Sequence, residues 1–169
     1  MAHPTATLVH SLRLAASRLR EGAEYRWSHY GMCNCGQLAQ VVTGLDARGL
    51  QEAAFGRPGD WGEQGRDYCP DSGLPMDVVI ARMTAIGLER EDFRHLERLT
   101  HPHVLRRLPE ERRKLHHTRR EDTILFLETW AELLEEKLSE LQRAELRRLR
   151  SEPATTEVEA ALDAIARVA

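Results

Sequence analysis

The stretch HYGMCNCG, residues 29–36, sets two thiols with a single asparagine between them and a histidine four residues before the first. Thiolates and imidazoles are the usual ligands of zinc, and three cysteines with one histidine make a closed structural set. Cys33 and Cys35 can face one metal if the chain is extended there and turns into a helix at Gly36. The third cysteine, Cys69, is stiffened by Pro70. The expected metal set is therefore Cys33, Cys35, Cys69 and His29, with His95 in reserve for the fourth place. Three thiolates would equally hold an iron-sulfur cluster, and nothing in the spacing selects iron over zinc.

A second chemistry needs no metal. A cysteine at a helix N-terminus has its thiolate stabilised by the helix dipole. Cys35 stands at such a place, His29 would draw its proton, and Cys33 or Cys69 would resolve a redox cycle. Cys35 and His29 are thus the candidate catalytic pair of a thiol enzyme or redox sensor. In a third reading the cysteines are small hydrophobes, since free Cys is among the most buried residue types.

Six of the nine aromatic residues fall between positions 25 and 68, and all three cysteines between 33 and 69. Tyr25, Trp27, Tyr30, Trp61 and Tyr68 form a candidate pocket wall for a small molecule. Asp60, Glu63, Asp67, Asp71 and Asp77 lie in or beside the same region as oxygen donors, although turns and helix caps account for most such residues. The run 106–120 carries seven Arg or Lys, but Glu110 and Glu111 interrupt it and the chain bears a net charge of -3. That pattern reads as a solvated face and argues against a nucleic-acid partner.

The elements that must position these groups are helical. No segment alternates apolar and polar residues over strand length, whereas several carry a 3.6-residue period. Leu8, Leu12, Ala15 and Leu19 mark a first amphipathic helix; a short helix follows from about Cys35, and Asp46 caps the next. Residues 56–73, rich in Gly, Pro and Asp, read as a long loop. Pro75 opens a helix that Gly87 stops, and EREDFRHLERL makes another. The longest helix is expected over 121–150, with Ile124, Leu127, Trp130, Leu134, Leu138 and Leu141 as its apolar stripe. Thr156 would cap a last helix bearing Val158, Leu162 and Ile165.

The expected architecture is all-α: a compact bundle of about six helices, with the Cys- and aromatic-rich segment 25–77 inserted between the first helices and the long one. Residues 1–150 form a single domain, and 151–169 a linker with a short amphipathic helix. An odd cysteine number suits a reducing compartment, so a cytoplasmic location is expected. No apolar run approaches membrane-spanning length. The stripe on the long helix leaves room for a homodimer. The function expected is a binding or regulatory module, or a small-molecule metalloenzyme, built on a zinc or iron-sulfur site walled by aromatics. The alternatives are thiol chemistry at Cys35 and a helical interaction scaffold with inert cysteines.

Overall fold

A computed structural model describes residues 1–151 and is all-helical. The described helices are α1 (Ala6–Arg20), α2 (Asn34–Thr43), α3 (Ala47–Ala54), α4 (Trp61–Arg66), α5 (Pro75–Ala85), α6 (Arg90–Arg98), α7 (Pro102–Arg107), α8 (Arg120–Glu136) and α9 (Glu140–Ser151), with one 3-10 turn at Glu110–Arg112. The expected last helix around Val158, Leu162 and Ile165 lies outside the described residues.

The scaffold is α1 laid along α8, with α2 and α9 also packed on α1. Thr5 caps α1 by accepting from Leu8 N at 3.0 Å, and Leu8, Leu12, Ala15 and Leu19 are all fully buried, as their spacing requires. Phe126, Leu127, Trp130 and Leu134 of α8 meet them in one continuous core, together with Leu38, Ile80, Met83 and Phe93 from the smaller helices. Among the described residues no helix is long and apolar enough to cross a membrane.

Two elements differ from the sequence expectation. The segment 121–150 is not one helix: it breaks after Glu136 and restarts at Glu140. Ser139 and Gln142 cap the restart reciprocally, Ser139 N donating to Gln142 Oε1 at 3.0 Å and Gln142 N to Ser139 Oγ at 3.4 Å. The break resets the helical phase, so Leu141 is 85% exposed while Leu146 and Leu149 are buried.

The expected loop 56–73 contains α4. Asp60 Oδ1 accepts from Glu63 N at 2.9 Å and Glu63 Oε2 from Asp60 N at 2.8 Å, a capping box that starts the helix. Its glycines serve close packing: a Cβ at Gly65 would stand 2.8 Å from the Phe93 ring, and one at Gly62 3.1 Å from Arg94 Cβ. They let α4 lie flat on α6.

Close approach is tighter still around the thiols. A Cβ on Gly36 would meet the Tyr30 carbonyl oxygen at 2.2 Å, and one on Gly31 the Ala47 oxygen at 2.2 Å. Helix propensity alone favours Gly36→Ala by up to about 1 kcal/mol. The backbone collision outweighs it, because overpacking costs about 1–3 kcal/mol or more. Gly36→Ala is therefore expected to lower the unfolding free energy by at least about 2 kcal/mol in urea titration; an unchanged or raised midpoint would contradict this packing.

Candidate aromatic pocket

Residues 24–33 have no helical period and are held in place by side chains of α2. Gln37 Nε2 donates to the Glu24 and Met32 carbonyls at 2.8 and 3.1 Å, and Gln40 Nε2 to the Gly31 carbonyl at 2.6 Å. Gln51 Oε1 from α3 accepts from Tyr30 N at 3.1 Å. Most important is Asn34, between the two cysteines and fully buried. Its Nδ2 donates to the Glu97 carbonyl at 2.7 Å and lies 3.3 Å from that of His117. Its Oδ1 lies 2.6 Å from the Tyr25 hydroxyl and 2.8 Å from Thr123 Oγ1. One amide thus joins the aromatic segment, the end of α6, the chain before α8 and α8 itself.

The expected site residues separate into two groups. Cys33 and Cys35 are buried, and Cys69 is exposed. The Cys33 thiol donates to the Tyr30 carbonyl at 3.4 Å and the Cys35 thiol to the Phe93 carbonyl at 3.4 Å. Burial pushes the Cys33 thiol up to about 12 and raises Cys35 well above the usual thiol range. His29 uses its Nδ1 to accept from Gly31 N at 3.1 Å, closing its own turn. His95 Nδ1 lies 3.1 Å from Thr100 Oγ1. Among the described residues no group of three or more His, Cys, Asp or Glu is arranged to hold a metal ion, so Cys33, Cys35, Cys69 and His29 are not gathered as a closed set. Cys35 does sit in the first turn of α2, but burial opposes the dipole and holds it in the thiol form.

The aromatic wall fares differently. Trp27, Tyr30 and Trp61 line a hollow of about 200 Å³, with Cys33 in its wall and the carboxylates of Asp60 and Glu97 beside it. Trp61 Nε1 donates to the Tyr30 carbonyl at 3.2 Å, the Tyr30 and Trp61 ring centroids are 5.7 Å apart, and Trp61 stacks on Phe93 at 6.2 Å. Tyr25 belongs to the Asn34 network, where burial pushes its phenol up to about 12. Tyr68 stands apart, under the Arg90 guanidinium at 5.4 Å.

Glu97 carries the electrostatics of this hollow. It is only 6% exposed, yet forms no ion pair with a described residue; its Oε2 accepts from Gly62 N at 3.3 Å. Burial first, and then the neighbouring Asp60 charge, raise its carboxyl above the ordinary range. Asp60 pairs with Arg98 at 3.3 Å, and that guanidinium covers Trp27 at 5.1 Å. Sequence spacing gave no hint of Glu97, which lies on α6, twenty residues beyond the end of the segment 25–77.

Of the other acidic candidates, Asp77 holds the chain together. Arg57 grips Asp77 through two nitrogens at 2.9 and 3.3 Å and also bonds Gln64 and the Asp67 carbonyl, tying the segment before α4 to α5. Burial raises the Asp77 carboxyl, but Ser72 and Arg57 outweigh it and leave it below the ordinary range. In the basic run, Arg107 pairs with Glu136, and Arg113 and Arg120 bond backbone carbonyls. A second buried polar group, His101 with Asp92 at 3.8 Å, packs its ring tilted against Trp130 with centroids 5.3 Å apart; burial pushes the imidazole down to about 4. Comparison with protein-family models, with curated proteins and with solved structures finds no match for this chain.

The thiols give a direct check on this geometry. In native protein one thiol, Cys69, is expected to react rapidly with Ellman's reagent at pH 8, and Cys33 and Cys35 only after denaturation. Rapid reaction of two or three thiols in the folded state would contradict the burial of α2's first turn.

Proposed function

We propose that this protein is a binding module whose aromatic pocket takes a small nitrogenous ligand, with N–H groups or positive charge directed at Glu97 and ring or methylene surface against Trp27, Tyr30 and Trp61. The observation that carries this reading is Glu97 itself, a buried carboxylate that forms no ion pair with a described residue and feels the Arg98 charge only at longer range, beside three aromatic rings in a hollow of about 200 Å³. An unpaired buried charge is costly, and a ligand that supplies the missing partner recovers that cost as affinity. Aromatic faces add cation–π attraction for the same class of ligand. A neutral thiol makes Cys33 part of the wall and leaves Cys35 in the core behind it, neither with a nucleophilic role.

Three probes of equal size, benzylammonium, benzyl alcohol and benzoate, test the charge preference by tryptophan fluorescence and calorimetry. Benzylammonium is expected to bind best, and Glu97→Gln to weaken it about tenfold or more. Equal binding of all three, or no effect of Glu97→Gln, would overturn the reading.

The same substitution has a stability signature. Because the folded pKa of Glu97 is raised, its favourable contribution is fully present below the unfolded value and is lost as the pH rises through the folded value. At neutral pH the ionised carboxylate therefore destabilises the free protein. Glu97→Gln should raise the unfolding free energy by about 1 kcal/mol at pH 7.5, with the gain vanishing toward pH 4. A variant less stable than wild type at pH 7.5 would show that Glu97 is already compensated.

A further inference from the structure

Resting on the reading of the aromatic pocket, we infer that its ligand is a nucleoside 5′-phosphate, the base in the hollow and the phosphate on an arginine stripe beside it. Arg90, Arg94 and Arg98 recur at four-residue intervals on α6 and, with Arg66 of α4, line a cleft of about 630 Å³. Four-residue spacing starts the three guanidinium groups from one side of the helix, about 6 Å apart along its axis. Asp60 lines both this cleft and the aromatic hollow. Arg98, bonded to Asp60 and lying over Trp27, stands between the two. Glu97 and Arg98 are consecutive residues, so one turn of α6 offers an acceptor for ring N–H groups and a donor for an anion.

The chemistry of each half matches one part of a nucleotide. A hollow of about 200 Å³ walled by aromatic faces suits a single base, held by stacking that every base can make. A carboxylate accepts from an exocyclic amino group, which favours a base such as cytosine or guanine over uracil. Planar guanidinium groups recognise phosphate through paired, charge-assisted hydrogen bonds.

The carboxylates of the arginine cleft do not close it to an anion. Glu63 is engaged in the α4 capping box, accepting from Asp60 N at 2.8 Å. Glu91 pairs with Arg94 at 3.2 Å, both side chains well exposed, and such exposed pairs give way readily to a stronger acceptor. Arg90 has no carboxylate partner among the described residues; it bonds the Arg66 carbonyl at 3.2 Å and covers Tyr68. Its charge, like that of Arg94, is available to a phosphate at the mouth of the cleft.

Calorimetry on the full chain with CMP, cytidine, UMP, inorganic phosphate and benzylammonium separates the two readings, comparing wild type with the double variant Arg90→Ala/Arg94→Ala. CMP is expected to bind at least about tenfold more tightly than cytidine and more tightly than UMP. The double variant should abolish the advantage of CMP while leaving cytidine affinity unchanged, and added salt should weaken CMP alone. A denaturation curve on the variant shows whether it folds, and a single Arg90→Ala, with its exposed side chain, gives the same readout at smaller amplitude. Adding a single-stranded pentanucleotide with a 5′-phosphate identifies the source: tighter binding than CMP points to a strand end, equal or weaker binding to free nucleotide. Equal affinity for cytidine and CMP, or binding of benzylammonium alone, would overturn the nucleotide assignment and leave the aromatic pocket standing. Failure of every probe to bind would overturn both.

Discussion

Everything around the pocket depends on the Asn34 side chain. Its two polar atoms lie within hydrogen-bonding distance of four groups, two carbonyls for the amide nitrogen and two hydroxyls for the oxygen. Those groups come from distant parts of the chain, among them Glu97 on α6 and Thr123 on α8. A buried amide with all its partners fixes one geometry, because any shift would strand donors and acceptors away from water. The Glu97 carbonyl is one of its acceptors, so the residue whose carboxylate faces the hollow is anchored at its backbone by α2.

The thiols on either side acquire a plain explanation from this arrangement. Cys33 and Cys35 alternate with Asn34 at the entry to α2, where Gly36 presses against the Tyr30 carbonyl. There is space for small side chains and none for large ones. Each thiol finds a backbone carbonyl at 3.4 Å, and burial keeps both protonated. In the stretch HYGMCNCG the two thiols pack on either side of a buried amide. α6 combines two demands on one short helix: Phe93, Leu96 and Glu97 are buried, Glu97 forming no ion pair with a described residue, and arginines cover the outer side. Burial raises the Glu97 carboxyl above the ordinary range, against the opposing pull of the Gly62 N–H and the Arg98 charge.

Much of the scaffold was legible because its signals are local. The apolar period of α1, the Asp46 cap and the first-turn Pro75 each translate directly into an element. The Ser139–Gln142 and Asp60–Glu63 capping boxes were also written in the sequence, as residues three apart, but an apolar stripe and a run of glycines masked them. Glycine in GDWGEQG suggested a turn, whereas Gly62 and Gly65 are small because α6 lies against them, a fact about a partner thirty residues away. The aromatic concentration singled out Trp27, Tyr30 and Trp61, which the structure places around one hollow. Glu97 and the arginines of α6 could not be tied to that wall, because their meeting is decided by how α4 lies on α6.

The central claim is that the hollow between Trp27, Tyr30 and Trp61 receives a nitrogenous ligand, and the three indole N–H resonances of the protein observe it most directly. In a ¹⁵N-labelled sample, with each indole assigned by a tryptophan-to-phenylalanine variant, cytidine and benzylammonium are titrated in turn. The Trp27 and Trp61 signals should move in a saturable way while Trp130, buried on α8 against His101 and Phe126, stays in place. Unmoved Trp27 and Trp61 signals at millimolar ligand, or a shift confined to Trp130, would contradict the account.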